Sequence, residues 1–176
     1  IFNKSPATFS MDKLLWFNKY YLDQMSIDQL MKVVELQHFD GSEYSKTVME
    51  TIRDRCSTLN EFSTNADYFF KDPEDYDPSL LLKHCKENTF NHLSLLKDQL
   101  EALEIWEQTY IKEVIDSIVS DLDIGFGKIG LPLRLALTAT VNSPSIDLVC
   151  EIIGKEITLR RLENFLTKIK NLKTDQ

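Results

Sequence analysis

Apolar residues follow a helical spacing along nearly the whole chain. In the first segment six side chains recur at intervals of three and four residues: Met11, Leu14, Leu15, Asn18, Tyr21 and Leu22. This spacing predicts one buried helix face, with Asp12 and Lys19 in water on the opposite face. Further stripes of the same period run through residues 90–103 and 106–118. Because no segment shows the two-residue alternation of a strand, the sequence predicts an all-α fold.

Capping residues predict where helices begin and end. Ser26 followed three residues later by Gln29 is typical of a capping box, in which side chains and backbone N–H groups bond reciprocally. Near the C-terminal end, Ser143 as N-cap and Pro144 at the first helical position predict a short helix that ends just before Gly154.

An irregular segment divides the chain. Residues 71–78, KDPEDYDP, contain two prolines and four acids and show no periodicity, which is typical of a linker. We therefore predict two small helical subdomains, at residues 1–72 and 73–176.

Charge is distributed unevenly along this acidic chain. The net charge is −8 over 176 residues, which argues against nucleic acid as a partner because phosphate contacts need local lysines and arginines. However, residues 128–176 carry eight basic and five acidic side chains. The basic C-terminal third therefore keeps an anionic partner open.

Composition also predicts the class of protein and its compartment. No apolar run approaches the roughly 18 residues of a spanning helix, so we expect a soluble protein without a membrane partner. The widely spaced Cys56, Cys85 and Cys150 argue against a disulfide framework and for a reducing, cytoplasmic location. The opening residues lack the order of a signal peptide and favour a piece of a longer protein.

Two short motifs resemble cofactor or metal sites but lack the required context. GFGKIG at residues 125–130 matches a dinucleotide-binding fingerprint, yet it follows a helical pattern and not a strand. We predict a flexible loop between helices there, with Lys128 available to phosphate. His84, Cys85 and His92 have a spacing that fits no usual zinc site. No self-contained active site is evident.

The arginines carry the strongest functional signal. Arg53 and Arg55, two apart on a predicted helix, would point about 200 degrees apart, so at most one of them serves a given surface. Arg134 lies in the apolar run LPLRLALT, where a guanidinium must find an acceptor: a helix C-terminus, a carboxylate or a nucleotide. Arg160 and Arg161 open the last predicted helix, an end that disfavours cations by about half a kcal/mol.

Two blocks of sequence resemble the C-terminal anticodon-binding region of the bacterial glutamyl-tRNA synthetase family. The first is SPATFSMDKLLWFNKYYL, in which these positions match: Phe9, Asp12, Lys13, Leu14, Trp16, Asn18 and Tyr21. The second is PLRLALTATVNSPSIDLVCEIIGKEITLRRL, which is similar to the family's Pro-Leu-Arg helix, its Ser/Thr-Pro loop and its Gly-Lys followed by Leu-x-Arg-Leu. The order and separation of the blocks also fit, so the resemblance spans essentially the whole chain.

The resemblance implies two all-helical subdomains, the first continuing the stem-contact part and the second holding the anticodon loop of tRNA for glutamate. It places Arg55 where the family has an arginine that reads the third anticodon base, with Arg53 as its neighbour. The Pro-Leu-Arg helix and the loop that receives the first two bases correspond to four residues: Arg134, Ser143, Pro144 and Ile146. Four further basic residues are expected to contact phosphate: Lys128, Lys155, Arg160 and Arg161.

The chain departs from the family pattern at two loop positions. Many members have Leu-Thr-Gly where this chain has Leu137-Thr138-Ala139, and the glycine that usually follows Ser-Pro is Ser145 here. Since glycine reaches backbone conformations that other residues avoid, both changes predict a different loop backbone.

The resemblance also limits what this chain can do alone. The family's catalytic domain, a class I Rossmann-type domain that binds glutamate and ATP with magnesium, would lie upstream. We therefore expect no catalytic residue, cofactor or metal in this chain, no aminoacylation by it alone, and a monomer that binds tRNA for glutamate. The alternative is a helical protein-interaction module with no RNA role. Whether the parent enzyme also charges glutamine tRNA stays open.

Overall fold

The computed structural model describes residues 10–34 and 39–174, so Phe9 lies outside the described residues. Within this range ten α-helices and no strand are present, which confirms the predicted all-α class. The helices are α1 (Met11–Gln24), α2 (Ile27–Val33), α3 (Glu43–Arg53), α4 (Leu59–Phe70), α5 (Pro78–His84), α6 (Thr89–Glu101), α7 (Gln108–Asp121), α8 (Gly127–Thr138), α9 (Ile146–Ile153) and α10 (Lys155–Thr174). No described helix is long and apolar enough to cross a membrane.

The chain forms two compact units that divide between Ala66 and Asp67, inside α4. This division falls before the boundary predicted between residues 72 and 73. The division in the structure describes only the compactness of the two units, whereas the prediction also assigned a function to each subdomain. The assignment of a stem-contact and an anticodon-binding subdomain therefore stays a prediction.

The predicted linker belongs to the second unit. Residues 72–77 have no regular secondary structure, as expected from their prolines and acids. Nevertheless Tyr76 meets the ring of Phe165 in α10 edge-on, at 5.0 Å between centroids, and its hydroxyl donates to the Ala136 carbonyl at 3.4 Å. The segment is thus packed against helices of this unit and does not act as a free spacer.

The first unit is organised around α2 and α3, which pack together. Its buried apolar side chains include Leu22, Leu30, Val48, Met49, Ile52 and Phe62. The capping box predicted for α2 is confirmed: the Ser26 hydroxyl accepts from the Gln29 backbone N–H at 3.2 Å, and the Gln29 side chain accepts from the Ser26 N–H at 2.8 Å.

The buried face predicted for α1 is wrong. Leu22 is the buried residue of this helix. Three others of the predicted face are 46–63% exposed: Met11, Leu14 and Tyr21. The physical reason is that α1 packs in this unit through polar hydrogen bonds of Asn18 and Lys19, which turn the apolar side outward.

In the second unit α10 is the central helix. It packs against α6, α8 and α9, while α7 packs against α9. Both apolar stripes predicted from the sequence supply fully buried residues, together with α8 and α10: Leu93, Leu96, Leu100, Ile111, Ile115, Ile118, Leu133 and Phe165. These contacts fix the ends of α8 and α9, between which the candidate site lies.

Three helix starts in this unit differ from prediction. α10 begins at Lys155, so Arg160 and Arg161 lie beyond its first turn and do not open it. α9 begins at Ile146 with Ser145 as N-cap and not Ser143, whose hydroxyl is bonded to an arginine instead. α8 begins at Gly127, so the second part of the GFGKIG run is helical and not a loop. The predicted end of α9 is confirmed at Gly154, which has a φ of +85° that favours glycine.

Candidate nucleic-acid interface

Arg134 holds the loop between α8 and α9. Its Nη1 donates to the Ser143 carbonyl at 2.9 Å, to the Pro144 carbonyl at 2.5 Å and to the Ser143 hydroxyl. The acceptor that the apolar run demanded is therefore the loop itself and not a carboxylate. Because one guanidinium nitrogen gathers three oxygens of two adjacent residues, the loop is fixed where it turns into α9.

The start of the same loop is shaped by a left-handed residue. Ala139, the C-cap of α8, has φ 53° and ψ 12°, a region that L-residues other than glycine and asparagine avoid. Hydroxyl groups stabilise the turn: the Thr138 hydroxyl accepts from the Thr140 N–H at 3.3 Å, and the Thr140 hydroxyl accepts from the Asn142 N–H at 3.1 Å. The backbone thus keeps a glycine-like conformation although the glycine is absent.

Burial divides the loop into an inner and an outer set. Ser143 and Pro144 are buried, and Ile146 is 1% exposed. Asn142 and Ser145 are exposed. The exposed side chains that this loop offers a ligand, Asn142 and Ser145, are therefore uncharged and can form hydrogen bonds. The three residues predicted to bind the bases are buried beneath them.

Arg53 and Arg55 have different environments in the first unit. α3 ends at Arg53, whose Nη2 donates to three carbonyl oxygens at 2.6–3.2 Å, those of Leu22, Asp23 and Met25. Arg53 thereby satisfies the C-terminal end of α1. Arg55 lies in the turn after α3 and is exposed; its backbone N–H donates to the Ile52 carbonyl at 2.9 Å, but its guanidinium makes no hydrogen bond or ion pair with the described part of the chain. The helical angle assumed between the two was wrong, but they do serve different surfaces.

A comparison with known protein families identifies the domain that contains the loop after α3 and the loop between α8 and α9. A model of the anticodon-binding domain matches residues 20–166, which include α3, the loop after it, α8, α9 and the loop between those two helices. The chain belongs to the anticodon-binding domain family. This match confirms the resemblance found in the sequence.

Three proteins similar to this anticodon-binding domain are glutamate–tRNA ligases. The chain is 35% identical over 167 residues to that of Ruthia magnifica subsp. Calyptogena magnifica, covering 92% of the chain and 36% of the ligase. The crystal structure of a glutamate tRNA ligase from Elizabethkingia meningosepticum in complex with its amino acid has a TM-score of 0.78 at 26% identity over 90% of this chain and 32% of the other. That of glutamate-tRNA synthetase from Elizabethkingia anophelis has a TM-score of 0.73 at the same identity and coverage.

This anticodon-binding domain spans about a third of the length of those ligases. The family match supports tRNA anticodon recognition and does not support the alternative of a helical protein-interaction module.

Arg160 and Arg161, predicted as phosphate contacts, are engaged inside this anticodon-binding domain. Arg161 is 3% exposed and donates to three carbonyl oxygens at 2.7–2.9 Å, those of Tyr68, Lys71 and Leu137. It also donates to the Asp72 carboxylate at 2.8 Å, which Arg160 holds with Nε and Nη2. Arg161 therefore joins residues 68–72 to α10, and the half-exposed Arg160 is the member of the pair that a ligand can reach.

The Asp72 carboxylate is tuned by these arginines. Its partial burial works to raise the pKa, but the hydrogen bonds and charges of Arg161 and Arg160 outweigh it and lower the pKa of Asp72 below its ordinary value. The carboxylate is thus kept ionised, as its two cationic partners require.

The two predicted lysines differ in the same way. Lys155 donates from Nζ to the Leu103 carbonyl at 2.6 Å, which fastens the turn before α7. Lys128 is exposed, and its Nζ makes no hydrogen bond or ion pair with the residues that the structure describes. Lys128 is therefore the one of the pair that is available to phosphate.

The sequence did not predict a second set of hydrogen bonds that holds the loop between α8 and α9. The Gln108 side chain donates to the Asp147 carboxylate at 2.8 Å and to the Ser145 hydroxyl at 3.4 Å, and the Trp106 indole N–H donates to the Cys150 carbonyl at 2.9 Å. A buried indole needs an acceptor, so Trp106 in a polar turn was the available signal. The α9 end of the loop is thus held by α7 as well as by Arg134.

Proposed function

We propose that this chain binds the anticodon loop of tRNA for glutamate, as part of a ligase that attaches glutamate to that tRNA using ATP. The observation that carries the proposal is the rigid loop between α8 and α9, which Arg134 and Gln108 hold from two sides while Asn142 and Ser145 stay exposed. Single-stranded RNA exposes base edges that such fixed hydrogen-bonding groups read without a large ordering cost.

The residues divide into readers and supports in this proposal. Arg55 is the reader of the third anticodon base, because its guanidinium is exposed and has no hydrogen-bond partner in the described residues. The backbone and exposed side chains of the α8–α9 loop receive the other two bases. Five other predicted residues have a structural role in this proposal, because they are buried or hydrogen-bonded within the domain: Arg53, Arg134, Ser143, Pro144 and Ile146.

Phosphate contacts are assigned by the same criterion of availability. Lys128 and the exposed side of Arg160 are proposed to meet the RNA backbone, whereas the contacts of Lys155 and Arg161 lie inside the domain. Because the chain carries a net charge of −8, we expect it to bind RNA weakly in isolation and with strong salt dependence.

The chemistry of aminoacylation is assigned to the part of the ligase that this chain does not span. Residues 10–34 and 39–174 contain no group of three or more His, Cys, Asp or Glu side chains that could hold a metal ion. Because this chain spans about a third of the similar ligases, we propose that ATP, magnesium and glutamate bind elsewhere in the polypeptide, in a class I catalytic domain, and we expect this chain alone not to aminoacylate. A monomeric, cytoplasmic enzyme is part of the same proposal.

A titration of transcribed tRNA for glutamate into this chain at low salt tests the proposal. We expect saturable binding that weakens about tenfold or more when the three anticodon bases are exchanged within the same tRNA, because each lost base contact costs about 1–3 kcal/mol. Exchanging a base pair in the acceptor stem is the matched control and leaves affinity unchanged. Equal affinity for the parent and the anticodon-exchanged tRNA would contradict anticodon recognition.

A further inference from the structure

Helix α1 leaves its aromatic side exposed within the first unit. The side that meets the rest of the unit carries the buried Leu22 and two hydrogen-bonding residues: the Asn18 amide donates to the Ser57 carbonyl, and Lys19 Nζ donates to the Arg53 carbonyl at 3.1 Å and to Asp23 at 2.7 Å. A helix usually buries its apolar stripe and exposes its polar one. Here a second apolar side stays without a partner in the described residues.

That exposed face is aromatic and continuous. Trp16, Phe17, Tyr20 and Tyr21 are 62, 52, 50 and 63% exposed. Trp16 and Tyr20 stack at 5.9 Å between ring centroids, and edge contacts at 5.1 and 5.6 Å join Phe17 and Tyr21 to them. These four residues, called the α1 aromatic face, therefore form one patch and not scattered surface residues.

The size of the patch suits a contact within one polypeptide. Each aromatic side chain offers roughly 200 Å², so the four rings at their observed exposure present on the order of 400 Å². Patches of this size on a monomer are usually functional. A stable complex of separate proteins buries about 800 Å² on each side, whereas domains of one chain meet over about 600–1,500 Å² in total. A patch of this area on each side falls within the second range.

Charge favours protein over RNA as the occupant. α1 carries two aspartates and two lysines, so it has no excess of cations for phosphate. One of these lysines, Lys19, is already engaged by Asp23 and the Arg53 carbonyl. The other, Lys13, is exposed and lies on the aromatic side, three and four residues before Trp16 and Phe17. An aromatic surface with a single lysine matches an apolar protein surface better than a phosphate backbone.

The relatives indicate where such a surface comes from. The similar ligases are about three times as long as this chain, which covers 36% and 32% of two of them. We propose that the α1 aromatic face packs against an apolar patch in the part of the ligase polypeptide that this chain does not span. The contact would couple the anticodon-binding domain to the rest of the enzyme. It rests on family membership and not on which residues read the bases.

Hydroxyl-radical footprinting read by mass spectrometry tests the proposal. Trp16, Tyr20 and Tyr21 are compared in this chain alone and in the full-length ligase that carries it, both without tRNA. We expect their labelling rates to fall several-fold in the full-length protein, in proportion to the exposed area that packing removes. Tyr110 and Phe126, exposed residues of the second unit, serve as internal controls and keep their rates.

Four outcomes would overturn the proposal. Equal labelling in the short and full-length proteins would show that no other part of the ligase covers the face. Protection already present in the short chain at every concentration would assign the face to a segment of this chain, and protection that grows with concentration would assign it to a second copy. Protection that appears only when tRNA is added would assign it to RNA.

A pair of variants gives an independent readout. Trp16→Ser with Tyr20→Ser should leave the unfolding of the short chain nearly unchanged, since these rings are exposed there, but lower the thermal midpoint of the full-length ligase. Leu82→Ser, at a residue that is 67% exposed in the second unit, is the matched control and should shift neither midpoint. An unchanged full-length midpoint for the double variant would contradict the proposal, while anticodon binding by the short chain is measured separately.

Discussion

The loop after α3 and the loop between α8 and α9 each follow a helix that carries an arginine bonded to backbone carbonyls, but the two loops offer different surfaces. In each, an arginine in or at the end of the preceding helix donates to backbone carbonyls: Arg53 to the end of α1 and Arg134 to residues 143 and 144. The first loop then presents the exposed Arg55, whereas the second presents Asn142 and Ser145. An arginine whose guanidinium donates to backbone carbonyls therefore supports the structure of the site. An arginine whose guanidinium has no such acceptor is available to read a base.

The largest effect should come from removing the two supports. Arg53→Met and Arg134→Met each leave carbonyl groups without their donor while keeping the aliphatic volume, and should lower the free energy of unfolding by about 2–4 kcal/mol. Urea denaturation measures this. The exposed Lys128→Met is the control and should stay within about 0.5 kcal/mol of the parent. A urea midpoint equal to that of the parent for either arginine variant would contradict a supporting role for that arginine.

Removing the reader should separate affinity from stability. Arg55→Ala should weaken binding of tRNA for glutamate by about 1–3 kcal/mol and change the free energy of unfolding by less than about 0.5 kcal/mol. Arg55→Lys keeps the charge but not the two-pronged hydrogen bonding, so it should recover part of the loss. Titration with fluorescent tRNA and urea denaturation give the two numbers. A large stability change with parent-like affinity would make Arg55 a support like Arg53.

The left-handed alanine distinguishes the second loop by a smaller amount. Ala139→Gly removes a strain of about 1–2 kcal/mol but adds the chain entropy of glycine, so a net stabilisation of about 0.5 kcal/mol is expected. Ala102, the C-cap of α6, has φ −75° and gives a matched control. There Ala→Gly should destabilise by about 0.5–1 kcal/mol. The opposite signs are read from urea midpoints; the same sign at both positions would contradict strain at Ala139.

The smallest expected effect is a dependence of stability on pH at the contact between Arg161 and Asp72. Arg161 differs from Arg53 and Arg134 because one of its acceptors is a carboxylate, Asp72, whose pKa in the folded protein lies below the ordinary value of 3.8. The stability that ionised Asp72 contributes is therefore present above the ordinary pKa and is lost as the pH falls through the lowered one.

Asp72→Asn tests this coupling. The unfolding free energies of parent and variant should differ at pH 7 and converge as the pH falls below about 4, since a protonated Asp72 no longer holds the two arginines as an ion pair. A difference that stays constant down to the acid limit would mean that the carboxylate is retained for its hydrogen bonds alone.

Local patterns predicted the parts of the fold that depend on neighbours in sequence. The capping box at Ser26 and the end of α9 at Gly154 appear in the structure. The stripes at residues 90–103 and 106–118 correspond to α6 and α7, although Tyr110 of the second stripe is 39% exposed and Ile111 and Ile115 are buried instead. Each depends on bonds or spacing within one helix, which a short stretch of sequence contains. The same patterns failed at Ser143, where a long-range bond from Arg134 replaces the cap.

Partner identity could not be predicted in the same way. The sequence showed that Arg134 needs an acceptor but left three kinds open, and it treated Arg160 and Arg161 alike. The structure gives Arg134 the carbonyls of its own following loop and buries Arg161 at 3% exposure while Arg160 stays half exposed. These outcomes depend on which helices meet, and that is set by packing over separations of many residues.

The sequence by itself determined the helical class, the capping box of α2, the end of α9 and the resemblance to an anticodon-binding region, because periodicity, capping and motif order are written in consecutive residues. Tertiary structure alone decided which arginines are supports, which loop groups face outward and that α1 exposes its aromatic side. The physical reason is that a guanidinium or an aromatic ring has no fixed role until packing settles whether a carbonyl, a neighbouring helix or water surrounds it.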